Sequence, residues 1–302
     1  MDAVSTRNLT KTYQGKQKVH ALKGVSISIA KGQLFTLLGK NGAGKTTFLR
    51  IISTQLLPTE GEATVLGYDA LTEEEKIREH IAIVPQDVAS YGSYTPWDYC
   101  YYFSLLRGVT KQAAKDASEK ALRSLKLWDL KDRACATLSG GEKKRAIISI
   151  ALSSEADLLM LDEPTSGLDA VTRRDVWIQL RKLVEQGKTV LLTTHIMEEA
   201  EMLSDRLAIM HKGEIVAEGT PDEIRSFSED RFRITAHGDL GNLDLSSEPN
   251  RILKLGNKSL VYYRSEKDAL SFLSRALRSG VRAEIAPITL EDAFVKMVGE
   301  EI

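Results

Sequence analysis

An apolar run that stops on a glycine-rich loop fixes the centre of this chain's fold. Leu34-Phe35-Thr36-Leu37-Leu38 shows no polar alternation, the pattern of a strand buried on both faces. It leads into Gly39-Lys40-Asn41-Gly42-Ala43-Gly44-Lys45-Thr46, which spells glycine, four residues, glycine, lysine and threonine. Helical patterning follows from Lys45 to about Thr54. In such a strand–loop–helix unit the glycines let the backbone wrap with its N–H groups pointing inward at phosphate oxygens. The helix N-terminus adds partial positive charge. Lys45 is expected to reach the β- and γ-phosphates and the Thr46 hydroxyl to ligate Mg²⁺. Thr47, next in the helix, is counted among the binding residues. Alone, the loop specifies a nucleoside triphosphate and nothing finer.

A second apolar strand, Leu158-Leu159-Met160-Leu161, ends in Asp162-Glu163. Side chains alternate along a strand, so the two acids are expected to project differently. Asp162 is placed to hold Mg²⁺ and Glu163 to polarise a water as general base. An isolated acid pair at a strand end is ordinarily solvated surface. The phosphate loop in the same chain reverses that reading.

Around these motifs the chain alternates strands and helices, which implies a parallel sheet covered on both sides. Val25-Ser26-Ile27-Ser28-Ile29 alternates as one strand, with a turn at Lys31-Gly32, among short strands before about Gly67. Residues from about 87 to 154 look mainly helical. Ala170 to Gln186 reads as a helix closed by Gly187, Thr189 to Thr193 as a buried strand, and 206–217 as a hairpin turning at Lys212-Gly213. After Pro221 the register changes. Arg231–Ala236 alternates like an edge strand, Leu260–Tyr263 and Val281–Ile285 are further strands, and Ser265/Asp268 and Thr289/Asp292 are read as helix caps. The expected division is a nucleotide-binding α/β domain over about 3–225 and a small α+β appendage over 228–302.

The 302 residues carry a formal net charge of −1, so no global basic field draws the chain to nucleic acid or anionic lipid, and no nucleic-acid partner is expected. Cys100 and Cys135 stand apart, without metal-ligand spacing, as suits a reducing compartment. No run of roughly 20 apolar residues that would span a bilayer occurs. The start of the sequence lacks the cationic and apolar regions of a secretory signal, so none is expected.

Leu138-Ser139-Gly140-Gly141-Glu142 decides the family. Two glycines at a helix N-terminus, with a serine hydroxyl beside them, make a second exposed-amide anion site. Seen alone, the string would be an N-cap serine and a turn. It lies between the phosphate loop and the acid pair, about twenty residues before Asp162. With Gly39–Thr46 (Walker A), Gln86 (Q-loop), Leu158–Glu163 (Walker B), Ser166-Gly167-Leu168-Asp169 (D-loop) and His195 (switch histidine), it gives the order and spacing of ABC (ATP-binding cassette) ATPases. The chain resembles that family over about residues 3 to 225. Lys40 departs from the proline that many relatives have there, and the glycines are intact.

The resemblance implies a P-loop NTPase fold of ABC type: a parallel sheet core, an N-terminal antiparallel β subdomain and a helical signature subdomain. It implies ATP hydrolysis with Mg²⁺ held by Thr46, Asp162 and Gln86, with Tyr13 stacked on adenine and His195 orienting the water or Glu163. It implies two cassettes packed head to tail, a homodimer being expected, with Ser139, Gly140, Gly141 and Glu142 acting in trans and Asp169 in the D-loop. His20, His80, His211 and His237 receive no chemistry. A soluble relative in translation, repair or cluster assembly is a competing class. However, translation relatives usually hold two cassettes per chain, and repair relatives insert a coiled coil that is absent here. A kinase or another P-loop NTPase would not explain Leu138–Glu142 or His195. The run Thr193–Glu201 and the ending Leu290-Glu291-Asp292-Ala293-Phe294 resemble single-cassette exporter subunits, which work on the cytoplasmic face of the membrane with a separate permease. An importer subunit is the alternative. Seven of the nineteen aromatic residues, Tyr91, Tyr94, Trp97, Tyr99, Tyr101, Tyr102 and Phe103, crowd one stretch after Gln86. One helix face cannot bury them all, and the family docks a permease helix just past the Q-loop, so rings around Tyr91–Trp97 are expected to line that groove.

Overall fold

The structure is a computed structural model that describes all residues except 16, 87–92, 239, 241–248 and 300–302. The chain divides into two units, Met1–Glu218 and Gly219–Ile302. Elements are numbered along the chain. The first unit runs β1 (Asp2–Tyr13), β2 (Val19–Val25), β3 (Ser28–Ala30), β4 (Leu34–Leu38), α1 (Lys45–Ile52), β5 (Glu60–Val65), β6 (Tyr68–Asp69), α2 (Glu74–His80) and β7 (Ile81–Val84). It continues through α3 (Pro96–Leu106), α4 (Lys111–Ser124), α5 (Gly140–Ser153), β8 (Leu158–Asp162), α6 (Ala170–Glu185), β9 (Thr189–Thr194), α7 (Met197–Leu203), β10 (Arg206–His211) and β11 (Glu214–Gly219).

A six-stranded sheet in the order β11-β10-β4-β9-β8-β7 forms the centre, with parallel pairing from β10 through to β7. Every residue of β4, β8 and β9 is buried. Their side chains divide by parity, as the strand period requires. Phe35, Leu37, Leu158, Met160 and Leu191 join one apolar cluster with Phe48, Ile51 and Ile52 of α1. Leu34, Leu159, Leu161, Val190 and Leu192 join another with Val176, Trp177 and Leu180 of α6 and Ala146, Ile148 and Ala151 of α5. Apolar runs without alternation are thus strands covered on both faces, by α1 and residues of β1, β2 and β5 on one side and by α5 and α6 on the other.

An antiparallel sheet, β2-β1-β5-β6 with β3 on β1, completes the N-terminal part. The alternating run 25–29 is not one strand. β2 ends at Val25 and β3 begins at Ser28, because the Thr6 hydroxyl donates to the Val25 carbonyl and accepts from the Ile27 N–H, while Ser26 Oγ accepts from the Asn8 N–H. Ile81–Val84 is too short a run for periodicity to single out, yet it is an edge of the parallel sheet and delivers Gln86.

The second unit contains α8 (Pro221–Ser226), β12 (Phe232–His237), β13 (Arg251–Leu255), β14 (Lys258–Tyr263), α9 (Glu266–Arg278), β15 (Arg282–Pro287) and α10 (Leu290–Val298). Its antiparallel sheet has the order β13-β14-β12-β15, so β12 is interior and not the expected edge strand. Alternation records one buried face, here Ile234 and Ala236 against Phe272 and Ala276, and does not report how many neighbours a strand has. At α9 the Ser265 hydroxyl accepts from the Asp268 N–H, whereas at α10 Thr289 and Asp292 form the full reciprocal box.

Candidate active site

The parallel sheet delivers its site residues at the carboxyl ends of adjacent strands, where an open α/β sheet holds ligands. Gly39 follows β4, Glu163 follows β8 and His195 follows β9, and Gln86 lies two residues past β7. The loop then turns into α1 through Gly44, whose φ of 112° lies where L side chains rarely go. A Cβ there would stand 2.5 Å from the Ala21 carbonyl oxygen, so glycine is required by both conformation and space.

Lys45 is buried, and its Nζ donates to the carbonyls of Gly39 at 2.7 Å and Lys40 at 3.2 Å. The same ammonium lies 3.3 Å from Glu163 Oε1. Thr46 Oγ1 donates to Asp162 Oδ2 at 2.7 Å, and the Thr193 hydroxyl donates to the other oxygen, Oδ1. Asp162 and Glu163 are both buried, at 2% and 4% exposure, so neither is ordinary solvated surface.

The two acids do project differently. Asp162 ends the strand and faces Thr46 and Thr193, while Glu163 takes a left-handed φ of 48° and swings its carboxylate elsewhere. Its N–H is held by the Thr193 carbonyl at 3.0 Å. Its Oε2 receives Gln86 Nε2 at 3.4 Å and lies 3.1 Å from His195 Nδ1. Gln86 past β7, His195 past β9 and Lys45 at the start of α1 therefore converge on one carboxylate.

Of these, Lys45, Gln86 and Glu163 line a cleft of about 630 Å³ together with Asn41, Gly42, Gly44, Thr46 and Thr47, while His195 reaches it through Glu163. Ala43 is buried beneath the loop and Lys40 is exposed above it. The Tyr13 ring, 39% exposed, stands at the edge with its hydroxyl 3.4 Å from Thr47 Oγ1.

Ser139, Gly140, Gly141, Glu142 and Asp169 are not among the described residues lining the cleft. Ser139 and Glu142 cap α5 reciprocally: the Ser139 N–H donates to Glu142 Oε2 at 2.7 Å and the Glu142 N–H to Ser139 Oγ at 3.3 Å. Asp169 caps α6, accepting from the N–H groups of Thr172 and Val171, which hold its carboxyl below the usual range. Tyr91 lies outside the described residues. Of the other rings, Tyr94 and Tyr102 are about half exposed, while Trp97 packs edge-on against Trp128.

Four contributors escape sequence reasoning. Thr193 holds both acids, by hydroxyl and carbonyl, a role visible only once the parallel register Asp162↔Thr193 is known. Lys23 and Lys212 line the cleft with cations, although the sequence marks Lys212 only as half of a turn. His20, given no chemistry above, also lines it.

Comparison with known proteins follows the same outline. Residues 22–166 match the family model described as ABC transporter. The chain is 33% identical over 282 residues to the daunorubicin/doxorubicin resistance ATP-binding protein DrrA of Streptomyces peucetius, covering 93% of this chain and 83% of that protein. It is 34% identical over 310 residues to the Nod factor export ATP-binding protein I of Rhizobium meliloti (strain 1021), covering 99% of this chain and 89% of that one. Among solved structures, a dimeric post-hydrolysis ATP-binding cassette bound to ADP and Pi superimposes with a TM-score of 0.67 at 29% identity, over 72% of this chain and 98% of that one. The chain belongs to the ABC transporter ATP-binding family and is an ATPase of the kind that serves transporters. No helix of the described residues is long and apolar enough to cross a membrane.

Proposed function

We propose that this chain is the motor subunit of a membrane exporter, hydrolysing ATP in two composite sites of a head-to-tail homodimer. The convergence of Lys45, Gln86 and His195 on the buried Glu163 carries this reading. Water whose proton passes to Glu163 attacks the γ-phosphorus, the bond to the β,γ-bridging oxygen breaks and ADP leaves, with His195 and Gln86 fixing the carboxylate and the water. Lys45, paired with Glu163 before substrate binds, turns to the β- and γ-phosphates and leaves the carboxylate free to act as base. Tyr13 stacks on adenine and the loop amides of 39–46 hold the phosphates.

Thr46 and Asp162 bring hydroxyl and carboxylate oxygens together, the hard donors that suit Mg²⁺, and Gln86 lines the same cleft as Thr46. Bound there, Mg²⁺ supplies neutralisation of phosphate charge.

Export is supported by similarity to the drug-resistance and Nod factor export subunits. Cargo would pass through a separate transmembrane permease, docked near Tyr94 and Trp97 just past Gln86, with this chain on the cytoplasmic face. Residues 3–225 form the motor and 228–302 an accessory domain. The test is Glu163→Gln, which keeps the shape and removes the base. Turnover should fall about 10²–10⁴-fold while ATP is still bound and holds a dimer that light scattering detects. A variant that hydrolyses ATP at the parent rate would overturn the assignment of Glu163.

A further inference from the structure

Glu199, on α7, is fully buried, yet no role in the site has been given to it. Its Oε1 accepts two hydrogen bonds, from Thr165 Oγ1 at 2.6 Å and from Trp177 Nε1 at 2.9 Å. Its Oε2 meets no donor among the described residues. A carboxyl group in such a place costs stability that an apolar side chain of similar volume would not. A local rule broken in this way marks a site under a different demand.

The partners of Glu199 indicate the demand. Thr165 lies two residues beyond Glu163, in the turn held by Ser166 N–H to Glu163 O at 3.3 Å and Leu168 N–H to Thr165 O at 3.1 Å. Glu199 lies four residues beyond His195, in the first turn of α7. Glu163 and His195 are 3.1 Å apart. The chain from 163 to 165, the Thr165–Glu199 bond, the chain from 199 back to 195 and the His195–Glu163 contact thus close a ring. Trp177 pins the ring to α6. A second and more exposed brace runs alongside: Arg173 donates to the Leu168 carbonyl at 3.4 Å and lies 3.8 Å from Glu198.

We propose that Glu199 is a positioning residue that sets the separation of His195 and Glu163 by tying α7 to the turn after β8. This rests on the reading of Glu163 and His195 given above. Glu163 leaves its strand in a left-handed conformation that L side chains adopt only when the surroundings hold them there. The Thr165–Glu199 bond is the buried side-chain tie nearest to that strained residue on its C-terminal side. Misplacement of a reacting group by about 1 Å can cost 10²-fold in rate, so a loosened tie should appear in turnover before binding.

The test compares Glu199→Gln, Glu199→Ala and Thr165→Val by kcat, KM for ATP and thermal unfolding. The glutamine amide oxygen can accept both bonds, so Glu199→Gln should keep kcat within about threefold of the parent. Glu199→Ala should lower kcat about 10- to 100-fold with KM changed less than twofold. Thr165→Val removes one bond without changing volume and should lower kcat in the same direction by a smaller factor. A folded Glu199→Ala with parent kcat overturns the proposal, as does a loss of kcat matched by an equal loss of ATP affinity. Should Glu199→Ala not fold, Thr165→Val decides alone, and its parent kcat would overturn the proposal. Glu163→Gln and His195→Ala run beside these. If they leave turnover intact, the reading of the site itself fails, a result distinct from failure at Glu199 alone.

Discussion

Three glycines of the phosphate loop allow the demands of conformation and of space to be measured separately. Gly42 has φ 80° and open space where a Cβ would stand. Alanine there should cost only backbone strain, about 1–2 kcal/mol. Gly39 is outside the left-handed region, but its Cβ would lie 2.4 Å from the Met210 carbonyl oxygen. Alanine there should cost only displacement of β10, about 1–3 kcal/mol as for an overpacked core. Gly44 meets both conditions, with φ 112° and neighbours at 2.5 Å (Ala21 O), 3.1 Å (Leu22 Cδ2) and 3.2 Å (Met210 Sδ). Its alanine variant should lose roughly the sum of the other two, about 2–5 kcal/mol, out of the 5–15 typical of a domain. With an m-value of about 3 kcal/mol per molar, its urea midpoint in the absence of nucleotide should fall by about 0.7–1.7 M. The Gly42 and Gly39 variants should each fall by less. If Gly42→Ala is as damaging as Gly44→Ala, the contacts with Ala21 and Met210 are not what selects glycine. If Gly39→Ala is neutral, the Met210 carbonyl on β10 does not select glycine at this position.

Tyr13→Phe should bind ATP as the parent does, whereas Tyr13→Ala should bind about tenfold more weakly, the upper range of an aromatic stacking contribution, as read by titration with a fluorescent nucleotide. In the second unit, burial raises the Asp292 carboxyl, but the N–H and hydroxyl of Thr289, the Tyr262 hydroxyl and Arg233 outweigh it and hold the acid below its ordinary 3.8. Such a group contributes stability that is fully present above the unfolded-state value and is lost as pH falls through the folded one. Thermal midpoints of the parent should therefore drop as pH falls below about 4, and Asp292→Asn should flatten that part of the profile. A variant with the parent's acid limb would remove Asp292 from the account.

What could be read from the sequence was whatever depends on local pattern. β4, β8 and β9 announce themselves as unbroken apolar runs because a strand covered on both faces has no solvent side. The phosphate loop and acid pair are legible because their chemistry needs fixed residue types at fixed spacing. Whatever depends on register or neighbours was hidden. Nothing in Ile81–Val84 marks it as an edge of the central sheet, and nothing in 251–255 marks β13, whose burial is partial and unpatterned. The alternation at 25–29 is real, but the Thr6 hydroxyl interrupts it from 19 residues away. Thr193 reads as one more strand residue until β9 is laid beside β8, when it becomes the support of both acids.

The signature glycines carry an argument of a different kind. Gly140 and Gly141 occupy the first turn of α5, neither has a left-handed φ, and neither is crowded: a Cβ on Gly140 meets open space, and one on Gly141 meets Leu168 Cδ2 at an ordinary 3.6 Å. The fold of this chain therefore does not require glycine at either position. Alanine is favoured over glycine in helices by up to about 1 kcal/mol, so Gly140→Ala and Gly141→Ala should each leave the chain as stable or slightly more so. The side chains of Ser139 and Glu142 are already engaged in the cap, and what remains at the helix start for an anion is backbone N–H. A phosphate can approach those amides closely only if no methyl group stands in front of them. In a head-to-tail dimer that phosphate belongs to the ATP on the opposite chain. Both variants should then lose turnover by tenfold or more, about 1.4 kcal/mol of transition-state stabilisation, while ATP affinity of the isolated chain and its unfolding midpoint hold or rise. Variants that gain stability and keep full turnover would show that no ligand comes near these glycines, and the composite site would have to be abandoned.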